Sequence, residues 1–508
     1  MNRQTLPEKL ITALFSHREP LQAHHAVTSY CIPTDKAGKL RDAVQKQRGN
    51  QADSLTGHCL LHDPFDALAA RIALIRNAEF TIDLQYYIYR NDTVGKLLAA
   101  ELIKAAERGV RVRALIDDFG SQGLDDSIIH LHAHPNIEVR LFNAFCRKQN
   151  LYTQLLFGFG NTSRRMHNKS LTADNQVSII GGRNIGDEYF GANPNVVFDD
   201  LDVLVTNPAA DDISTAFDSF WNSSRAMAIC DVIKEAGSHA ALMAKFTAYQ
   251  QLLDLENHNS FLRTFFRNPF LAVNDFSQLS FHWANAEVKA DDVYKVSLPR
   301  CREDVMLSAQ LMPLIESIEQ QLVIVSPYFV PGEQGVAFFE HLTEKGIEVI
   351  IVTNSLASND VPIVHAGYAK YRKALLKAGV NLYEIDGSVT NEKLRKSLPK
   401  WFASRSSLHA KFFVFDQAAT FIGSFNFDPR SFFENTEIGV TLHCPALAID
   451  TTDKLVAALR NGAFKLSIEK GSLSWRRGQQ TCTKEPHTSW IKRVSNRLMG
   501  YLPIESQL

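Results

Sequence analysis

Two strings with one spacing lie in opposite halves of the chain, and their residue types suit chemistry at phosphorus. His167-Asn168-Lys169-Ser170-Leu171-Thr172-Ala173-Asp174 and His409-Ala410-Lys411-Phe412-Phe413-Val414-Phe415-Asp416 both read His-x-Lys-x4-Asp. Gly181-Gly182-x-Asn184 follows the first, and Gly423-Ser424-x-Asn426 follows the second at the same distance. Breaking a phosphodiester takes a nucleophile, a proton for the departing oxygen and positive charge on the non-bridging oxygens. One neutral imidazole can attack, and a second, protonated one can donate near pH 7. Lys169 and Lys411 offer point charges to phosphate oxygens, and the amides of Asn184 and Asn426 offer neutral donors. His and Lys two apart on a strand point to one face, so each pair can serve one site. No metal or cofactor is expected, because His and Lys stand where metal enzymes place carboxylate clusters.

The elements that must position these strings are themselves repeated. Phe80 to Tyr87 reads as a strand, Gly95 to Arg108 as a helix and Val110 to Ile116 as a strand. Leu322 to Phe329, Gly335 to Lys345 and Ile347 to Val352 repeat that order. Each unit runs on to a further strand, Ile137 to Phe142 and Val380 to Ile385, and then reaches its catalytic string. Alternating strands and helices predict an α/β fold with sheets covered on both faces. The period is far longer than a solenoid's, so the chain is a duplicated α/β unit.

With these strings in hand, the chain resembles the phospholipase D superfamily and, within it, the C-type bacterial cardiolipin synthases. The resemblance rests on Arg165-Met166-His167-Asn168-Lys169-Ser170, Gly181 to Asp187, Ile422 to Ser431, and Asn359-Asp360-Val361 running on to His365-Ala366-Gly367-Tyr368. It implies two pseudo-twofold lobes, each a mixed sheet flanked by helices, with both strings at a shared cleft. It implies a phosphatidyl group carried on a histidine and passed to a phospholipid hydroxyl, giving cardiolipin. Phosphatidylglycerol is the expected partner lipid, with phosphatidylethanolamine as a further candidate. By the same analogy His167 is the nucleophile and His409 the acid. A hydrolytic phospholipase D releasing phosphatidic acid, as a secreted effector acting outside its producer, is the first alternative, and a nuclease or nucleic-acid phosphodiesterase is the second.

A catalytic imidazole needs its far nitrogen oriented. The resemblance implies carboxylates for this, Glu437 in the second copy and Asp200 in the first. Asp174 and Asp416 lie beyond the lysines and read as structural partners. His365 and Tyr368 share a helical face with Tyr371 and Arg372 close by, and the resemblance suggests that they line the substrate cleft. Arg183 and Arg430 follow the Gly motifs and could pair with phosphate or with a carboxylate.

The 508 residues exceed one ordinary domain. The expected division is an extension over 1–61, a first lobe with a helical bridge over 62–295, a second lobe over 296–480, and a basic amphipathic tail over 481–508. A net charge of −1 argues against a dedicated nucleic-acid binder. Seven cysteines without CxxC spacing suit a reducing compartment. No apolar run is long enough to span a bilayer, and the start, Met1-Asn2-Arg3-Gln4-Thr5, does not read as a secretory leader. Peripheral attachment to the cytoplasmic side of a membrane is therefore expected. Three segments could meet lipid: Leu151 to Phe159, Phe261 to Phe270, and the tail helix. In the tail, Trp490, Ile491, Val494, Leu498 and Tyr501 share a face, with Lys492, Arg493 and Arg497 largely opposite.

Overall fold

The computed structural model describes residues 27–147, 163–193, 197–255, 260–272, 279–298, 302–386 and 407–501. The repeat is visible in the strand order. In the first lobe β2 (Thr81–Ile88), β3 (Arg111–Gly120) and β4 (Ile137–Phe142) run parallel. The hairpin of β5 (Ser170–Ala173) and β6 (Val177–Gly181) then joins antiparallel beside β2, and β8 (Asp202–Thr206) joins beside β6. A short strand, β7 (Phe198–Asp199), precedes β8, and β9 (Ala226–Ala228) pairs antiparallel with β4. The second lobe repeats this plan. Its parallel strands are β11 (Gln321–Val325), β12 (Glu348–Asn354) and β13 (Asn381–Ile385). Its antiparallel strands are β15 (Phe412–Phe415), β16 (Ala419–Gly423) and β17 (Ile438–His443), and β14 (Ser407–Leu408) precedes them.

The strands β1 (Thr56–Leu61) and β10 (His282–Ala290) link the main sheets of the two lobes. β1 pairs with β8 on one side and with β10 on the other, and β10 pairs on with β17. The extension expected over 1–61 thus ends inside the sheet. Its apolar stretch, Cys59-Leu60-Leu61, was too short to show a period, and pairing with both neighbours defines the strand. The helix Lys39–Arg48 also packs, burying Leu40, Ala43 and Val44 against the first lobe.

The two antiparallel faces meet in one core. Ile180, Val203, Val205 and Ile213 of the first lobe pack with Val325, Phe412, Ile422, Val440 and Leu442 of the second. The helix Ala209–Trp221 contributes to this core through Ile213 and buries Phe217, Phe220 and Trp221 beside β3 and β4. This apolar layer sets the two hairpins that carry the His-Lys strings against each other.

Each hairpin is tied to its own lobe by the aspartate of its string. Asp174 takes backbone N–H bonds from Glu79, Phe80 and Thr81 at 2.8–2.9 Å, and Asp416 takes them from Glu319, Gln320 and Gln321 at 2.8 Å. Both sit at positive φ in the hairpin turn, where a short polar side chain is tolerated. The spacing to the lysine therefore reflects strand length: the aspartate clamps the far end of β5 or β15 to the start of β2 or β11.

Candidate active site

Both His-Lys pairs open their hairpins at the lobe boundary, and each histidine reaches across it. His167 Nδ1 lies 2.8 Å from Glu437 Oε2 of the second lobe. His409 Nδ1 lies 2.5 Å from Asp200 Oδ2 of the first. Sequence suggested that each carboxylate serves its own copy; the structure exchanges them. The backbone explains the exchange. His167 N–H donates to Thr436 O at 2.9 Å, and Thr436 N–H donates to Arg165 O at 2.9 Å. On the other side Leu408 pairs with Asp199, and His409 N–H donates to Asp199 O at 2.7 Å. Each histidine is thus laced to the residue just before the opposite lobe's carboxylate. Of Asp199, Asp200 and Asp202, it is Asp200 whose side chain bonds His409, while Asp202 holds the buried Arg71 and Arg183.

A carboxylate only accepts, so each Nδ1 is the donor, which leaves Nε2 as the atom that can present a lone pair or carry a second proton. Glu437 is fixed further by Ser424 Oγ at 2.5 Å and Ser431 Oγ at 2.8 Å. At the matching position of the first copy, Gly182 has no side chain, and the Asp200 carboxyl fills that space: a Cβ on Gly182 would sit 2.1 Å from Asp200 Oδ1. This explains why the second copy accepts serine and the first requires glycine.

Both lysines are buried beside their histidines. Lys169 Nζ donates to His167 O at 2.5 Å and Lys411 Nζ to His409 O at 2.7 Å. Burial pushes Lys169 well below its ordinary value, and Lys411 adds to this; burial likewise lowers Lys411. In the same cleft the buried carboxylates Glu437 and Asp200 oppose this, each raising both lysines.

The histidines are not equivalent. Burial, then Lys169, Lys411, His409 and Arg430, hold His167 well below the usual imidazole value. His409 is lowered by burial and Lys411 but supported by Asp200. Burial pushes the Asp200 carboxyl up, yet His409, Lys411 and Arg183 outweigh it and hold it below the ordinary range. Burial leaves Glu437 raised, against the pull of Lys169.

The remaining candidates separate. Arg430 lies close enough to depress His167, and its guanidinium also donates to Ser163 O at 2.6 Å. Asn426 is buried, and its side-chain oxygen has no hydrogen-bond partner among the described residues. The amide of Asn184 is committed, accepting from Ile88 N at 3.1 Å and donating to Tyr189 at 2.9 Å. Arg183 does not reach the cleft. It is fully buried and donates to Leu61 O, His62 O, Asp200 O and Asp202, bracing the link between β7 and β8 that carries Asp200. His365 and Tyr368 are also corrected. His365 is wedged between Asn496 and Arg372, and Tyr368 donates to Glu384 at 2.9 Å, so both belong to a buried network of the second lobe. A helical spacing cannot tell an inward-facing polar cluster from a cleft wall.

Sequence reasoning missed the rings that frame the histidines. Tyr87 packs edge-on to His167 with centroids 5.0 Å apart, while Tyr189 and Phe198 lie 5.3 and 5.1 Å from His409. It also missed Asp117 in β3 and Asn354 at the end of β12, which stand at the same point of the repeat, opposite the last residues of β4 and β13. Asp117 accepts Met166 N–H at 2.9 Å, and Asn354 bonds both backbone groups of Leu408. Superposing the two repeats would have found that pair.

With this geometry established, the comparisons are informative. A family model described as "Cardiolipin synthase, PLD-like domain" matches residues 72–221 and 311–458. The chain belongs to that family. It is an enzyme of the phosphatidyltransferase/phospholipase D type. It is 38% identical over 450 residues to cardiolipin synthase C of Escherichia coli (strain K12), covering 88% of this chain and 94% of that one. Cardiolipin synthase 1 of Bacillus anthracis is 25% identical over 425 residues, covering 83% of this chain and 70% of the relative. In fold, the chain is similar to the phosphatidylserine synthase of Haemophilus influenzae Rd KW20, with a TM-score of 0.53 and 14% identity over 84% of this chain and 92% of that one. Among the described residues no helix is long and apolar enough to cross a membrane.

Proposed function

We propose that the chain forms cardiolipin by passing a phosphatidyl group from one phospholipid to the hydroxyl of another. His167 Nε2 attacks the donor phosphorus, and the bond from phosphorus to the leaving alcohol breaks as His409 protonates that oxygen. The phosphatidyl group is then held on nitrogen. His409 next takes the proton of the incoming hydroxyl, whose oxygen attacks phosphorus and releases His167. Lys169, Lys411 and Asn426 bind the non-bridging oxygens, Arg430 adds charge beside His167, and Asn184 positions the end of β2.

The observation that carries this reading is the crossed pair of His–carboxylate bonds, which unites one nucleophile and one acid in a single cleft. The assignment within the pair follows from charge. His167 is the more strongly depressed and so is neutral and ready to attack. His409 faces a carboxylate held ionised, so it is the better seat for a proton. Support for a lipid acceptor comes from the likeness to cardiolipin synthase C over most of the chain. The test is chromatography of lipids after incubation with phosphatidylglycerol, with and without phosphatidylethanolamine, in the presence of EDTA. Cardiolipin should accumulate. Phosphatidic acid as the sole product would instead assign hydrolysis, and loss of turnover in EDTA restored by one divalent ion would overturn the metal-free mechanism.

A further inference from the structure

The helix near the C-terminal end of the described chain, Trp490–Met499, is packed with its polar side inward. Its one buried residue is Asn496, whose Oδ1 lies 3.3 Å from His365 Nδ1, and Arg372 Nη2 lies 2.8 Å from the other ring nitrogen. Ser489 caps the start by accepting Lys492 N–H at 3.2 Å, and Pro362–Ala369 is the helix it rests on. The apolar row turns outward: Trp490 is 68% exposed, Ile491 62%, Val494 48%, Leu498 64% and Tyr501 75%. A helix that covers a core buries that row. Other large apolar side chains exposed among the described residues are scattered, and scattered ones need no explanation; four on one short helix, with Tyr501 just past its end, do.

We propose that this face docks on an anionic lipid bilayer. Three features select that occupant. The helix carries Lys492, Arg493 and Arg497 and no acidic residue. Two copies set face to face would therefore bring like charges together, whereas an anionic surface neutralises them. Trp490 and Tyr501 stand at the two ends of the row, the amphipathic ring types that favour the headgroup level. The polar anchor fixes the row outward through buried hydrogen bonds, so the face is displayed by the fold rather than by a loose tail. The structure also refines which cations flank it: Arg497 is exposed beside the row, while Lys492 is half-buried on the protein side. The inference rests on the phospholipid reading only for its choice of surface.

Co-sedimentation tests it on the full chain, using vesicles of phosphatidylcholine with and without phosphatidylglycerol. Binding is measured with the His167→Ala protein as well, so that failure of the catalytic reading leaves the docking result standing. Replacing Trp490, Val494 and Leu498 together by Ser should lower partitioning to the anionic vesicles on the order of tenfold or more. Arg497→Glu should weaken it about tenfold, only on anionic vesicles and only at low salt. Melting temperature and turnover of a short-chain, water-soluble phosphodiester should match wild type in both variants. Wild-type binding by the triple variant overturns the proposal, as does an equal loss of activity on the soluble substrate. Dissociation of a wild-type dimer by the triple variant, with vesicle binding intact, assigns the face to self-association instead.

Discussion

Replacing Glu437 by Gln tests the crossed wiring directly. Glu437 lies in the second lobe but bonds His167 of the first, and it also accepts from Ser424 and Ser431. Glutamine keeps the volume and one acceptor oxygen, so the fold survives while the charge opposite His167 Nδ1 disappears. A hydrogen bond to a charged group contributes about 1.5–3 kcal/mol, and the positive charge on His167 is greatest as the phosphorus bond forms, so kcat should fall roughly 10- to 150-fold. The pH profile carries the sign. Removing an anion lowers the imidazole further. The limb of kcat/KM lost at low pH, where the nucleophile becomes protonated, should therefore move to still lower pH. Asp200→Asn removes the anion beside the acid, so there the alkaline limb should move down and the rate at neutral pH should drop. The assay is initial rate against pH for both variants, with 15N spectra of labelled histidines as the structural readout. Glu437→Gln should shift the ring nitrogens of His167 and leave those of His409 in place. A kcat within twofold of wild type, or a shift confined to His409, refutes the crossed pairing. Exchange of the two limbs between the variants would instead reverse the nucleophile and the acid.

Three further outcomes follow from the same structure. His167→Ala and His409→Ala should each reduce turnover at least about a thousandfold, and the double variant little more, because both act in one cycle; trapping the phosphorylated histidine on His409 would reverse their roles. His365→Ala should cost about 2–3 kcal/mol of stability by leaving a cavity and removing the ring that Asn496 and Arg372 bond, while a soluble substrate is turned over normally per folded molecule; an unshifted melting temperature with lost turnover would return His365 to the cleft. Burial pushes the Asp428 carboxyl up to about 7. The folded state therefore binds a proton that the unfolded chain has released, so this side chain's contribution is complete below pH 4 and is lost as pH rises towards 7. Asp428→Asn, which can still accept from Ser431 N–H, should melt progressively higher than wild type between pH 5 and pH 8; a constant difference would refute this.

Local spacing determined a great deal here. His, Lys, Asp and the glycine motif lie within one hairpin, so their order along the chain is their order in space. Duplication was legible for the same reason: each strand–helix–strand unit carries its own hydrophobic period, and the parallel strands β2, β3 and β4 and their counterparts β11, β12 and β13 fall where those periods put them. The fate of the polar helices was not legible. His365 and Tyr368 have the spacing of a cleft wall, but His365 turns inward onto Asn496 of Trp490–Met499 and Tyr368 onto Glu384. Of the segment Phe261 to Phe270, which could have met lipid, Phe261 and Phe265 are buried in the first lobe and Phe266 is exposed, whereas the tail helix keeps its whole apolar row outside; Leu151 to Phe159 lies outside the described residues. The pairing of histidine with carboxylate was the deepest of these decisions. Two copies of one motif offer two histidines and two carboxylates of like chemistry, and nothing along the chain says whether a carboxylate serves its own copy or the other. The inter-lobe core and the backbone bonds at Thr436 and Asp199 make that choice, because only the folded pair of lobes brings Glu437 to His167 and Asp200 to His409.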